Sequence, residues 1–185
     1  SLLPVSADVL DWPEDAPLVM VGRFASGGAP PDRSWSGGLE TLPRLERSGR
    51  SVAVLTPGTI EEYFQLTRSA FDLTGRYQTP ILILSDPFMA ASLRAVAPFG
   101  VGPPAVVSNP DSGRPRSGAG LSAERLPPAF IGDPFPEILL VCWGAAFGPA
   151  DEAVGMLQAE GRKAAVLHFS QVWPLNPEDF LPYLH

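Results

Sequence analysis

The chain has 185 residues, 45% of them hydrophobic, with a net charge of −7, 22 Pro, 18 Gly and a single Cys. That apolar share supports one ordinary core or two small ones and excludes a wholly disordered chain. The acidic balance, with no basic run of five residues, argues against a nucleic-acid or anionic-membrane partner, because either would need a positive face.

Cys142 alone cannot form an internal disulfide or hold an iron–sulfur cluster, and with only His168 and His185 beside it a zinc site is not expected. No metal-ligating residues are therefore assigned. No run reaches the roughly 18 apolar residues of a membrane-spanning helix. The opening stretch SLLPVSADVLDWPED lacks the basic and apolar regions of a secretory signal. The expected setting is the reducing cytoplasm.

Leu18 to Val21 reads as a strand closed by Gly22, after an acidic, Pro-punctuated start. Residues 22–50 are broken by Gly-Gly and Pro-Pro and leave room for one short helix near Leu39 to Arg47. The clearest signal follows. Val52 to Leu55 is a short apolar run, as in a strand covered on both faces. Pro57-Gly58 breaks it, and Thr59 with Glu62 three residues on is a capping-box start. Ile60, Tyr63, Phe64, Thr67, Ala70, Phe71 and Thr74 recur at helical spacing, Gly75 is the expected helix end, and Ile81 to Leu84 is a second buried strand. Strand, helix and strand predict a parallel pair joined by a crossover. Asp86-Pro87 and a helical turn over Phe88 to Leu93 come next.

Residues 101–136 are rich in Pro, Gly and Ser and read as a linker between two units, since a structureless loop of that length rarely sits inside one domain. The second unit opens with a buried strand over Ile138 to Trp143, a turn over Gly144 to Pro149 and a helix over Ala150 to Glu160, with Ala153, Val154 and Leu157 toward the sheet. Gly161 suits the position just past the helix. Ala164 to Phe169 is its second strand. Asn176 reads as a helix cap followed by Pro177, with Trp173-Pro174-Leu175 anchoring that last helix. The fold class is thus α/β, with βαβ units at 52–85 and 138–169.

Gly144 to Pro149 lies between a strand and a helix, where a phosphate could sit. The G-x-G-x-x-G and Walker spacings are absent, and Asp151 and Glu152 would repel an anion. A tight structural turn is favoured, with a partner-facing turn as the alternative. Thr56 to Thr59 and Ser85-Asp86-Pro87 fall at strand ends, where open α/β sheets place ligands. Capping explains the first, and a crevice is an open alternative at both. Glu61 and Glu62 suit a helix N-terminus, and acid–base work would require burial. His168 reads as a strand histidine with a structural hydrogen bond, and Cys142 as a small buried hydrophobe. Arg114-Pro115-Arg116 reads as a solvated loop. Trp143, Phe147, Trp173 and Phe180 cluster near turns and predict an exposed apolar patch, hence an assembly.

TPGTIEEYFQLTRSAFDLTGRYQTPILILSDPFMA resembles the alpha subunit of 2-oxoacid:ferredoxin oxidoreductases, where a PGTxEExFxLTxxAFxLAxxYQTPVxxLSDQ run closes a thiamine-diphosphate pyrimidine domain. ILLVCWGAAFGPADEAVGMLQAEGRKAAVLHFSQVWPLNPEDF is similar to that family's next domain, WGSxxGxxxEAVxxLxxEGxKVxxLHxxxxWPLP. The resemblance implies three regions. Residues 1–100 would be a partial pyrimidine-domain-like unit, 101–136 the linker, and 137–185 a transketolase C-terminal-like unit.

It also implies a subunit or fragment of an enzyme that oxidatively decarboxylates a 2-oxoacid to acyl-CoA, inactive alone. The expected partners are a beta-type subunit with thiamine diphosphate, Mg and a [4Fe–4S] cluster, and ferredoxin; self-association is a further possibility. Pro87 stands where the family has Gln, and neither the glutamate that activates the aminopyrimidine nor the GPSTG loop has a counterpart. No catalytic or cofactor-binding residue is therefore assigned. The alternative is a non-catalytic α/β assembly module on the same scaffold.

Overall fold

A computed structural model describes residues 19–23, 52–77, 79–85, 89, 93, 95–100 and 125–184. In chain order these form β1 (Val19–Arg23), β2 (Ala53–Leu55), α1 (Ile60–Tyr77), β3 (Ile81–Ser85), β4 (Ala129–Gly132), β5 (Ile138–Trp143), a 3-10 turn (Gly144–Ala146), α2 (Phe147–Ala159), β6 (Ala164–Phe169), β7 (Gln171–Trp173) and two further 3-10 turns, Pro177–Asp179 and Leu181–Tyr183. The strands make two sheets, in the orders β1-β3-β2-β7 and β4-β6-β5. Both expected βαβ units are present: β2 and β3 are parallel, as are β5 and β6. The fold is mixed α/β with a parallel pair in each sheet.

Period-two alternation distributes the apolar residues among three cores. Ala53, Leu55, Ile81 and Ile83 face α1 and meet its Leu66, Ala70 and Leu73. Val52, Val54, Leu82 and Leu84 face the opposite way, onto Leu167 and Phe169 of β6 and Val172 of β7. Cys142, Ala164 and Val166 face α2 and its Val154, with Phe147, Ala150 and Leu157 at the edge. The sheets therefore stack face to face, with one helix outside each.

Several expected boundaries shift. α1 runs past Gly75 to Tyr77, and Thr74 Oγ1 donates to Thr79 O at 2.6 Å to tie its end to the next connection. α2 begins at Phe147, because the preceding 3-10 turn already carries the chain into helical geometry. Its end is as expected: Gly161 has φ +79°, Gly161 N bonds Gln158 O at 3.0 Å and Arg162 N bonds Leu157 O at 2.9 Å, the paired bonds of a Schellman cap. Asn176 precedes a single 3-10 turn and makes no side-chain cap.

Two strands escape the sequence patterning. β4 pairs antiparallel with β6 inside the stretch read as linker. Its four residues lie between Pro128 and Asp133-Pro134, too few to show a period. β7 leaves β6 after Ser170 alone and pairs antiparallel with β2 of the other sheet. The helical turns expected near Leu39 to Arg47 and Phe88 to Leu93 fall largely outside the described residues, with only Met89 seen in helical conformation.

Candidate functional site

The chain changes sheets at Ser170, between β6 and β7, and a polar cluster is built there. Thr56, at the end of β2, donates Oγ1 to Phe169 O at 2.9 Å and its N–H to Ser170 O at 2.7 Å. The Pro57-Gly58 break then turns the chain into α1. Thr59 Oγ1 accepts from Glu62 N at 3.0 Å, the first half of the expected capping box. The Glu62 carboxylate does not return to Thr59. Its Oε2 accepts from Gly58 N at 2.5 Å and from His168 Nε2 at 3.1 Å, and its Oε1 accepts the Ser170 hydroxyl.

Burial works to raise the Glu62 pKa, but the hydrogen bonds from His168, Ser170 and Gly58 and the attraction of His168 outweigh it, and the carboxyl is held below its ordinary value. An ionised Glu62 requires the His168 proton on Nε2. Nδ1 then lies buried with no partner. Phe147 covers the imidazole, ring centroids 4.5 Å apart. Gly58 packs against both rings: a Cβ there would fall 2.7 Å from His168 Cε1 and 2.8 Å from Phe147 Cβ. The expected structural hydrogen bond of His168 is thus present, with Glu62 as its partner.

Ser, His and Glu in contact invite a hydrolase reading, and their order rules it out. A nucleophilic serine must bond the imidazole that takes its proton. Here the carboxylate stands between, and Ser170 donates to Glu62. The cluster is a clamp that holds the start of α1 against the crossing between sheets. Glu61, its sequence neighbour, is exposed.

A cleft of about 490 Å³ opens on another side of the same helical turns. Ile60, Tyr63, Phe64 and Thr67 line it from α1, Ser85 from the C-terminal end of β3, with Met89 and Phe99 beyond. A crevice at Ser85 was an open alternative in the sequence, and Ser85 lines this cleft. Asp86 and Pro87 lie outside the described residues. Among the described lining residues none is charged, and Tyr63, Thr67 and Ser85 carry hydroxyls. Phe64 and Phe99 stack at 4.4 Å, nearly parallel.

Cys142 is buried, and burial pushes its thiol up to about 11, which suits a packing residue rather than a nucleophile. Of the four aromatics expected in an exposed patch, Phe180 packs edge-on against Phe169 and Trp173 joins the inter-sheet core. Phe147 packs on His168. Trp143 is exposed on β5, together with Val141, so β5 is not the buried strand expected: it lies at the edge of its sheet among the described residues and only one of its faces is covered by α2. Among the described residues, no group of three His, Cys, Asp or Glu side chains could hold a metal, and no helix is long and apolar enough to cross a membrane.

Ser170 and the far reach of Glu62 escaped sequence reading. A polar residue separating the runs AAVLHF and QVW is the only available sign, and an ordinary turn gives the same sign.

The chain matches known structures in fold. A 2-oxoglutarate:ferredoxin oxidoreductase from Magnetococcus marinus, solved with 2-oxoglutarate, coenzyme A and succinyl-CoA bound, superposes with TM-score 0.63 at 16% identity, over 92% of this chain and 40% of that one. A transketolase variant from Pichia stipitis superposes with TM-score 0.50 at 18% identity, over 90% of this chain and 21% of that one. The chain thus spans less than half the length of either. No family model and no curated protein matches it.

Proposed function

We propose that this chain is the alpha-type subunit, or a piece of it, of a thiamine-dependent 2-oxoacid:acceptor oxidoreductase, and that it works only with partner chains. The observation that carries this reading is the fit of 92% of the chain to a 2-oxoglutarate:ferredoxin oxidoreductase. The PGTIEEYF and WPL stretches resemble the same family. On this reading residues 1–100 supply part of a pyrimidine-type unit and 137–185 a transketolase C-terminal-like unit.

The described residues do not fit thiamine diphosphate by themselves. Glu62, the carboxylate at the head of α1, is committed inward to Gly58, His168 and Ser170 and is not free for an aminopyrimidine nitrogen. No described cluster offers ligands for the magnesium that a diphosphate needs. The reading therefore places diphosphate, Mg and [4Fe–4S] cluster on a beta-type subunit, with ferredoxin as acceptor. The exposed Val141 and Trp143 on β5, an edge strand among the described residues, suit a subunit contact.

The test is co-expression with a beta-type subunit of a 2-oxoacid:ferredoxin oxidoreductase and an assay of 2-oxoacid-dependent viologen reduction. Activity that needs both chains, thiamine diphosphate and coenzyme A is expected. A complex that forms without activity on any 2-oxoacid favours the second reading, a non-catalytic assembly module, for which the inward commitment of Glu62 is the specific support.

A further inference from the structure

The start of α1 is held by charge more than by packing. No residue of α1 before Leu66 is fully buried. Its first turn is tied down by the Glu62 carboxylate, which accepts Gly58 N–H from the turn before α1, His168 Nε2–H from the end of β6 and the Ser170 hydroxyl from the crossing to β7. His168 is the titratable group that faces Glu62. The preceding turn contributes a backbone N–H, α2 contributes the uncharged Phe147 against the imidazole, and Glu61, the next residue on α1, is exposed. The Glu62 side chain is 24% exposed, against 3% for His168, so solvent protons reach the carboxylate directly.

All three partners act as donors, and a protonated Glu62 brings a fourth hydrogen into the cluster. The backbone N–H cannot accept it. His168 could accept only by moving its own proton to Nδ1, which is buried without a partner. The Ser170 hydroxyl can turn round to accept, and then gives up its own bond to Glu62. The charge that strengthens the remaining bonds is lost at the same step. We infer that Glu62, His168 and Ser170 form an acid-released latch: one added proton frees the first turn of α1 from the crossing between the sheets, while the cores of both sheets stay closed. Those cores are built of uncharged residues, and Leu66, Ala70 and Leu73 keep the rest of α1 in place. Ile60 and Tyr63, on the freed turn, line the cleft, so the latch sets one of its walls. The folded pKa of Glu62 is depressed, so the latch is shut above the ordinary value of 4.5 and opens as pH falls through the folded value. This inference does not rest on the proposed function.

The test is amide hydrogen exchange of the full chain, read by NMR as protection factors, which remove the ordinary effect of pH on exchange. Gly58 and Tyr63 report on the latch, because their N–H groups bond Glu62 and Thr59 O. Ile83 and Val166 report on the two sheets. From about pH 7 to about pH 3, protection at Gly58 and Tyr63 should fall about tenfold, while Ile83 and Val166 keep theirs. Glu62→Gln should show that loss already at neutral pH, with no further step in acid. Ser170→Ala removes one bond to the ionised form and should move the midpoint up by about one pH unit. A flat profile at Gly58 and Tyr63, a loss shared equally by all four amides, an acid step that persists in Glu62→Gln, or an unmoved midpoint in Ser170→Ala would each overturn the latch. The activity assay with the partner chain is untouched by any of these outcomes, so the two ideas fail independently.

Discussion

One carboxylate carries much of the local order. Glu62 accepts hydrogen bonds from a backbone N–H, an imidazole and a hydroxyl drawn from points more than one hundred residues apart. Hydrogen bonds to a charged acceptor are worth about 1.5–3 kcal/mol each before the partners re-pair elsewhere. Glu62→Gln should therefore lower stability at pH 7 by about 1–3 kcal/mol. The sign with pH follows from the depressed folded pKa. The contribution of the carboxylate is full above its ordinary value of 4.5 and is lost as pH falls through the folded value. Urea denaturation at neutral pH and at about pH 3 should show the gap between the unaltered chain and Glu62→Gln narrowing in acid. A gap that stays constant would show that Glu62 is not ionised in the clamp.

Gly58 is the second residue whose identity the clamp requires. The space its Cβ would occupy holds the His168 ring and Phe147. Gly58→Ala should destabilise by about 1–3 kcal/mol, the usual range for overpacking, and Glu62→Gln added to it should cost less than the separate losses summed, because the first change already displaces His168. Cys142 gives a chemical check. Buried, and with its thiol pushed up to about 11, it should alkylate at about pH 8 at least a hundredfold more slowly in the native chain than in urea. Rapid native labelling would contradict its place under α2.

At the scale of elements, legibility followed long patterned runs. Ile60–Tyr77 carries a helical period, Ile138–Trp143 and Ala164–Phe169 are near-continuous apolar runs, and each was readable to within a few residues. The Gly161 cap was readable because glycine is the residue that tolerates a positive φ. Gly161→Ala should accordingly cost about 1 kcal/mol, seen as a lower midpoint in denaturant. Gly75 misled for the opposite reason. The tie from Thr74 to Thr79 and the packing of Leu73 hold α1 together beyond it, so tertiary contacts override an intrinsic preference.

β4 and β7 were illegible because each is three or four residues long and is specified by its partner strand, not by its own pattern. The same holds for the clamp. Thr59 and Glu62 announce a capping box, but nothing local says that the carboxylate will turn toward Ser170.

Among the described residues the two sheets share strands and a core. β7 extends the first sheet with chain from the second unit, and Leu167 and Phe169 share a core with Val54 and Leu82. Leu167→Ala, at a site with no exposure, should cost about 2–5 kcal/mol and should lower both units together in a single transition. Separate transitions, with only the second shifted, would show that the shared core does not couple them.

The central claim is that this chain is one part of a larger enzyme, and its assembly state reads that claim most directly. A subunit interface of this kind buries at least about 1,000 Å² and should survive dilution. The measurement is light scattering at low micromolar concentration, on the chain alone and mixed with the beta-type product of a co-expressed partner frame. A stable heteromer that takes up both chains is the predicted result. A monodisperse monomer that ignores that product would contradict the oxidoreductase reading.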